Sequence, residues 1–317
     1  MYSYENYYKV KEEIESRRIR AISEADARAE ELRSISEEIK AIDEELSSTG
    51  LHIFKVACSG GDIAPIRAHN EELSARRLEI IKRLGYPEDY TDVKFTCPTC
   101  SDTGYIGGTR MCSCLREELI RATIQSSGIG NLIEKQSFDN FDLELYKDNP
   151  EVYERMKRNL SLAKSFVTGF AKNKGNILLV GTTGTGKTHI STAIAREIIH
   201  QGYDVVYDSI HNIIYDFEAD KFKSGYNQTD LRSEKYLECD LLIIDDLGTE
   251  FSNQFTISCL YNLINTRINR GLSTIISTNL TATELSEKYD GRICSRLLGR
   301  DTLVLMFGGK DMRIFKK

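Results

Sequence analysis

An apolar run, Ile177-Leu-Leu-Val180, opens into Gly181-Thr-Thr-Gly-Thr-Gly-Lys-Thr188, and no other stretch constrains the fold of this 317-residue chain as much. The spacing G-x-x-x-x-G-K-[ST] describes a buried strand feeding a loop whose backbone N–H groups surround phosphate oxygens. Side chains at Gly181, Gly184 and Gly186 would stand between that backbone and the phosphates, which is why glycine is needed there. Thr182, Thr183 and Thr185 complete the cradle, Lys187 reaches the β/γ-phosphates, and the Thr188 hydroxyl holds Mg²⁺. His189 belongs to the helix that follows, where Ile190, Ile194 and Ile198 recur at helical spacing. The N-terminus of that helix directs its partial positive charge into the same loop, as a bound ATP would require.

Strand patterns continue on either side of helical stretches, at Val205–Tyr207, Leu241–Ile244, Thr274–Thr278 and Leu303–Phe307. Such alternation predicts an α/β fold, a parallel sheet with helices on both faces, and places ligands at the carboxyl ends of the strands. The chain puts polar groups at those ends. Asp245 and Asp246 follow one strand, an arrangement that suits Mg²⁺ binding by Asp245 and polarisation of an attacking water by Asp246. Glu250, four residues further on, is a rival for the second role. Asn279 follows the next strand and can hydrogen-bond the water or the γ-phosphate. Arg292 and Arg296 share one helix face at i, i+4. That spacing suits surface ion pairs as well as the stabilisation of a transferring phosphoryl group.

Cys97-Pro-Thr-Cys100 and Cys112-Ser-Cys114 are separated by eleven residues that include a Gly-rich hairpin, Asp102–Gly108. Four thiolates at this spacing most often hold structural zinc, with an iron–sulfur site or free thiols as alternatives. The hairpin has too little apolar content to fold alone, so metal binding would supply the missing free energy. Before it lies a helical arm. Ile14, Ala21, Ala25, Leu32, Ile35, Ile39, Ile42 and Leu46 form a heptad-like stripe, interrupted by Arg18 and Arg28 and ended by turn chemistry at Ser47–Gly50. A second helix is expected from about Ile66 to Leu84, stopped by Gly85 and Pro87. The hairpin so formed suits docking to another protein or packing on its own chain. Four regions result: a helical arm over 1–90, a four-cysteine module over 91–126, a linker over 127–172 and a nucleotide domain over 173–317. In the linker, Phe138 and Phe141 either border the nucleotide base or anchor the segment, and the sequence favours anchoring.

The net charge of −6 provides no global basic field for nucleic acid. It is unevenly spread: residues 1–90 carry fourteen Lys/Arg against nineteen Asp/Glu, and residues 291–317 seven against two. No apolar run approaches the ~18 residues that span a bilayer, so no membrane association is expected. The N-terminus has no apolar core of a secretory leader. Eight cysteines without such a leader suit reduced thiols or metal ligands and a cytoplasmic protein.

Taken together, Phe138-Asp-Asn-Phe-Asp142, the glycine-rich loop, Leu241-Leu-Ile-Ile-Asp-Asp-Leu-Gly248, Ser277-Thr-Asn279 and the Arg292/Arg296 box resemble the AAA+ ATPases of the DnaC/DnaI helicase-loader and IstB transposition-helper group. The resemblance covers roughly residues 95–317, and the cysteine cluster looks like the zinc motif of loader-type members. It implies an AAA+ three-layer αβα domain whose helical lid is missing, since the chain ends shortly after Arg313. Asn279 would be sensor 1, Arg296 the arginine finger reaching a neighbour's ATP with Arg292 as second candidate, and Arg313 the sensor-2 residue. Asp246 stands where AAA+ proteins commonly have glutamate, which implies slow, assembly-dependent ATP hydrolysis. Members act on single-stranded DNA through a helix inserted before the acidic strand. Here Lys221, Phe222, Lys223 and Tyr226 offer charge with aromatic faces for stacking bases, or else form an exposed mixed helix. The implied function is loading of a hexameric replicative helicase onto single-stranded DNA, with self-association on ATP binding. The alternative is a transposition helper that binds DNA and recruits a transposase.

Overall fold

The computed structural model describes residues 2–58, 62–171, 175–222 and 231–312, the side chains of 50–58 excepted. The chain divides into two compact units, Lys11–Leu115 and Met1–Val10 with Arg116–Lys317.

The first unit takes in α1 (Tyr4–Ile35) from Lys11 onward, then α2 (Glu37–Cys58), separated from α1 at Ser36, and α3 (Ala64–Arg83). Leu32, Ile39 and Ile42 of the predicted stripe pack against Leu73, Ile80 and Ile81 of α3. Ile35 departs from the stripe and is half exposed. It directly precedes Ser36, whose Oγ accepts the Ile39 N–H at 3.3 Å and caps α2. The turn expected at Ser47–Gly50 is absent, because α2 runs through it. The hydroxyls of Ser47, Ser48 and Thr49 fold back onto the carbonyls of Asp43, Glu45 and Leu46 at 2.8, 2.8 and 2.9 Å, so these residues satisfy themselves inside the helix.

Arg18 and Arg28 read as interruptions of an apolar seam, but they are attachment points. Arg18 donates to the Ser101 carbonyl at 3.2 Å, and Arg28 to the carbonyls of Tyr90 and Asp92 at 2.6 and 3.0 Å. Lys11 donates to the Thr103 carbonyl at 2.6 Å. The segment over 90–103 is thereby fastened along α1. It leads into a small antiparallel hairpin, β1 (Tyr105–Ile106) and β2 (Arg110–Met111), and then into α4 (Ser113–Ser126).

The second unit contains α5 (Leu132–Lys135), a 3-10 turn at Leu143–Tyr146 and α6 (Pro150–Gly169). Next come β3 (Asn176–Val180), α7 (Lys187–His200), β4 (Val205–Ser209), α8 (Ile210–Phe222) and α9 (Glu234–Glu238). The remaining elements are β5 (Leu241–Leu247), α10 (Gln254–Asn269), β6 (Ser273–Thr278), α11 (Ala282–Lys288), α12 (Gly291–Leu297) and β7 (Thr302–Met306). The five long strands are parallel in the order β4-β5-β6-β3-β7, the three-layer α/β sheet expected. Successive residues of a strand face opposite layers. On β3, Ile177 and Leu179 join one apolar cluster with α6 and α7, while Leu178 and Val180 join the other with α8, α10 and α12. Burial on both faces explains why these strands are continuously apolar. Among the described residues, no helix is long and apolar enough to cross a membrane.

Two polar groups under the sheet were not legible in the sequence. Arg267 is fully buried and donates to the Thr274 hydroxyl and to the carbonyls of Tyr236, Cys239 and Ser273, joining α9, α10 and β6. At the start of β4, burial and the neighbouring Asp240 carboxylate push Asp204 up from 3.8 to about 6. A raised carboxyl pKa means that the folded state binds the proton more tightly than the unfolded chain does. Stability from this group is therefore present at low pH and is lost as pH rises from about 4 to 6. Asp204→Asn should remove the penalty, making the variant more stable than the parent by roughly 2 kcal/mol at pH 7 with little difference at pH 4. Urea midpoints across this range provide the check, and a pH-independent difference would contradict the assignment.

Candidate functional site

The loop over 181–188 joins β3 to α7 and borders a cleft of about 650 Å³. Gly186 has φ +97° and caps α7; a Cβ there would sit 2.7 Å from the Tyr146 hydroxyl oxygen and 3.1 Å from the Phe141 ring. Only glycine fits both the backbone and that approach. Thr183, Gly184, Gly186, Lys187, Thr188 and His189 all line the cleft. Thr185 closes the loop internally, its hydroxyl donating to the Thr182 carbonyl at 2.7 Å. The buried Lys187 ammonium donates to the carbonyls of Gly181 and Thr182 at 2.5 and 2.9 Å and to Asn279 Oδ1 at 2.7 Å. One ammonium thus ties the glycine loop to the end of β6.

Asp245, Asp246 and Asn279 reach the cleft from the carboxyl ends of β5 and β6. Pairing of β5 with β6 passes from Ile244↔Ile276 to Leu247↔Thr278, so one extra residue bulges from β5. The bulge sets Asp246 at φ +57°, a left-handed backbone that aspartate tolerates better than most residues. Its N–H donates to Ser277 Oγ at 3.0 Å, and its carbonyl accepts from the Thr249 N–H and hydroxyl at 3.2 and 2.8 Å. Asp245 accepts hydrogen bonds from the Tyr207 and Ser277 hydroxyls. Burial, and then the Asp245 charge, push the Tyr207 phenol above its ordinary range, so it remains a donor. The oxygen donors of Thr188 and Asp245 beside the phosphate loop are of the hard type that suits Mg²⁺.

Glu250 is not part of this cleft. Its buried carboxylate accepts the Gly248 N–H at 2.8 Å and the Tyr289 hydroxyl, and pairs with Lys288 at 3.5 Å. These partners engage it in holding the loop after β5, whereas Asp245 and Asp246 both line the cleft. Arg296 is absent from the cleft of its own chain as well. Its guanidinium lies 4.6 Å from the Tyr261 ring centroid and donates to Asn265 Oδ1 at 3.0 and 2.8 Å. Arg292 is exposed on the same helix.

The linker contributes more than anchoring. Phe141 is buried in the core and also lines the cleft, edge-on to His189 at 5.1 Å. His189 Nε2 faces the Ser137 carbonyl at 2.9 Å and Asn140 Oδ1 at 3.0 Å, both acceptors, so this nitrogen carries the proton. Tyr146 donates to the Thr185 carbonyl at 3.0 Å. Phe138 packs against the core with Lys164 5.8 Å from its ring centroid. On α8, Lys221 lies 4.7 Å from the Phe255 ring centroid and Phe222 is 70% exposed. Lys223, Tyr226 and Arg313 lie outside the described residues. Tyr207, Ser277 and Tyr146 were missed in the sequence as site residues. Ser277 had a signal, its place in Ser277-Thr-Asn279, whereas the other two are joined to the site only by folding.

In the Lys11–Leu115 unit, the sulfurs of Cys97, Cys100, Cys112 and Cys114 all lie within 4.8 Å of one another. Cys97 and Cys112 are 3.8 Å apart, Cys100 and Cys114 3.5 Å. A tetrahedral zinc with ~2.3 Å bonds separates its sulfurs by about 3.8 Å, so the set fits one ion. Asp102, fully buried at φ +51°, accepts the N–H groups of Thr96 and Cys97 at 2.8 and 2.9 Å and pairs with Arg17 at 3.4 Å. It orients the turn that carries the first ligand pair.

Residues 117–313 match the family model described as IstB-like ATP binding protein. The replicative helicase loader DnaC of Escherichia coli (strain K12) is 24% identical over 194 residues, 61% of this chain and 76% of that protein. DnaC of Buchnera aphidicola subsp. Baizongia pistaciae is 26% identical over 188 residues, 59% of this chain and 73% of that protein. A crystal structure of the DnaC helicase loader superimposes with a TM-score of 0.48 at 20% identity, over 56% of this chain and 98% of that one.

Proposed function

Because the chain belongs to the IstB-like ATP-binding protein family, we propose that the cleft takes Mg·ATP and that the protein is an ATP-dependent loader of the replicative helicase onto single-stranded DNA. The observation that carries the nucleotide reading is the convergence of Lys187, Thr188, Asp245, Asp246 and Asn279 on one cleft from three strand ends. Similarity to proteins named as replicative helicase loaders supports the loader reading.

In this reading the loop N–H groups and the Lys187 ammonium bind the β- and γ-phosphates. Asp246 orients the attacking water and takes up its proton, while Asn279 holds the water or the γ-phosphate. Mg²⁺ bound by Thr188 and Asp245 would neutralise charge that develops on the phosphoryl oxygens. Arg296 serves the site of an adjacent subunit. The γ-phosphate then acts as a switch, favouring assembly when bound and release once hydrolysed. Zinc at the four cysteines would order the module, which with the helical arm contacts the helicase. Lys221 and Phe222, with Lys223 and Tyr226, would meet the DNA.

Mixing the protein with the replicative helicase of its own cell should give, in ATP, a particle that light scattering resolves and that is absent in ADP. No complex in ATP would sink the loader reading. The second reading is a transposition helper, favoured by the description of the family model itself. An ATP-dependent complex with a transposase, and none with the helicase, would establish it instead.

A further inference from the structure

The end of β4 brings a phenol to the cleft that the motif residues do not account for. Tyr207 lines it beside Thr188, Asp245 and Asp246. Its strand pairs with β5 in a register that sets Tyr207 opposite Ile243, two positions before Asp245 and on the same side of the pleat. The Tyr207 hydroxyl donates to Asp245 Oδ2, and from the other neighbouring strand, β6, the Ser277 hydroxyl donates to Oδ1. Thr188, the other residue whose oxygen suits Mg²⁺, lines the same cleft. The Asp245 carboxylate is therefore gripped at both oxygens from the strands on either side.

We propose that Tyr207 is a positioning residue for the metal: with Ser277 it clamps the Asp245 carboxylate and so sets the Mg²⁺ affinity of the nucleotide site. The inference rests on the nucleotide reading above. Each carboxylate oxygen has two acceptor positions, so a donated hydrogen bond leaves room for a metal or its water on the same oxygen. A carboxylate held at both oxygens loses little rotational freedom when the ion binds, whereas a free one loses most of it. Hydrogen bonds to ligand groups commonly raise metal affinity 10- to 100-fold. Nothing local in the sequence marks Tyr207, because it meets Asp245 only through the strand register.

The test is Tyr207→Phe, which keeps the ring and removes the hydroxyl. Binding of a fluorescent ATP analogue to the full chain is measured while Mg²⁺ is titrated, and again in EDTA. The Mg²⁺ concentration for half-maximal tightening, measured against each variant's own affinity in EDTA, should rise roughly 10- to 100-fold. Ser277→Ala should move the same curve in the same direction, and it decides the matter should Tyr207→Phe fail to fold. A variant that follows the parent's Mg²⁺ curve, or binds Mg²⁺ more tightly, overturns the clamp and leaves the nucleotide reading intact. A parent chain that binds no nucleotide in either condition removes both.

Discussion

Lys187→Ala and Arg296→Ala should each abolish ATP hydrolysis when measured alone, and an equal mixture of the two variants should recover a sizeable fraction of it. Lys187 is the cation of the phosphate loop, already bridging Gly181, Thr182 and Asn279. Its loss should remove nucleotide binding. Arg296 stands outside the cleft of its own chain, against Tyr261 and Asn265 on α10. An arginine delivered to a phosphoryl group from a neighbour contributes about 10³- to 10⁵-fold in rate. In the mixture, an Arg296→Ala subunit has an intact phosphate loop, and a Lys187→Ala subunit supplies the arginine. Steady-state phosphate release at fixed total protein reads the outcome. Loss without recovery on mixing would mean that Arg296 serves its own chain or only its fold. An unaffected Arg296→Ala rate would transfer the role to Arg292, exposed on the same helix.

Removing metal from the cysteine centre should unfold the segment around it and leave the nucleotide unit standing. Zinc bound to four thiolates contributes on the order of 10–16 kcal/mol to small modules of this kind. The hairpin of β1 and β2 has two residues per strand, none of them fully buried, so its own burial cannot replace that energy. Hydrogen exchange gives a local readout, since the N–H groups of Thr96 and Cys97 are held by buried Asp102 and that of Cys112 by the Gly104 carbonyl. A strong chelator, or Cys97→Ser, should expose these three amides while those of β3, β5 and β6 stay protected. Metal analysis should return one zinc per chain. A metal-free, reduced chain with the same protection at these amides would refute the centre.

The parts of the site that the sequence disclosed are those whose chemistry is contiguous. The loop over 181–188, the acids ending β5 and the asparagine after β6 each follow a strand pattern visible in a few residues. What it concealed depends on partners distant in the chain. Asp246 near the end of β5 and Glu250 just beyond it are both carboxylates, and only the fold turns Glu250 inward to Tyr289 and Lys288 and Asp246 to the cleft. Arg18 and Arg28 looked like flaws in a stripe because the carbonyls they grip lie 62 or more positions away. At Ser47–Thr49 the composition resembled a turn, yet each hydroxyl found a carbonyl in the preceding helical turn. Local propensity was outvoted there by helix continuity.

The strand order has a metric consequence. Strand β6 lies between β3, which carries the glycine loop, and β5, which carries the acids. Adjacent strands are about 4.8 Å apart, so the backbones that carry loop and acids stand about 10 Å apart, two strand spacings. Side chains close that interval: Lys187 meets Asn279 Oδ1 at 2.7 Å across the end of β6. A one-residue slip of β6 would carry its side chains to the opposite face and part that contact. The cleft thus depends on the registry of three strands as much as on the motifs that end them.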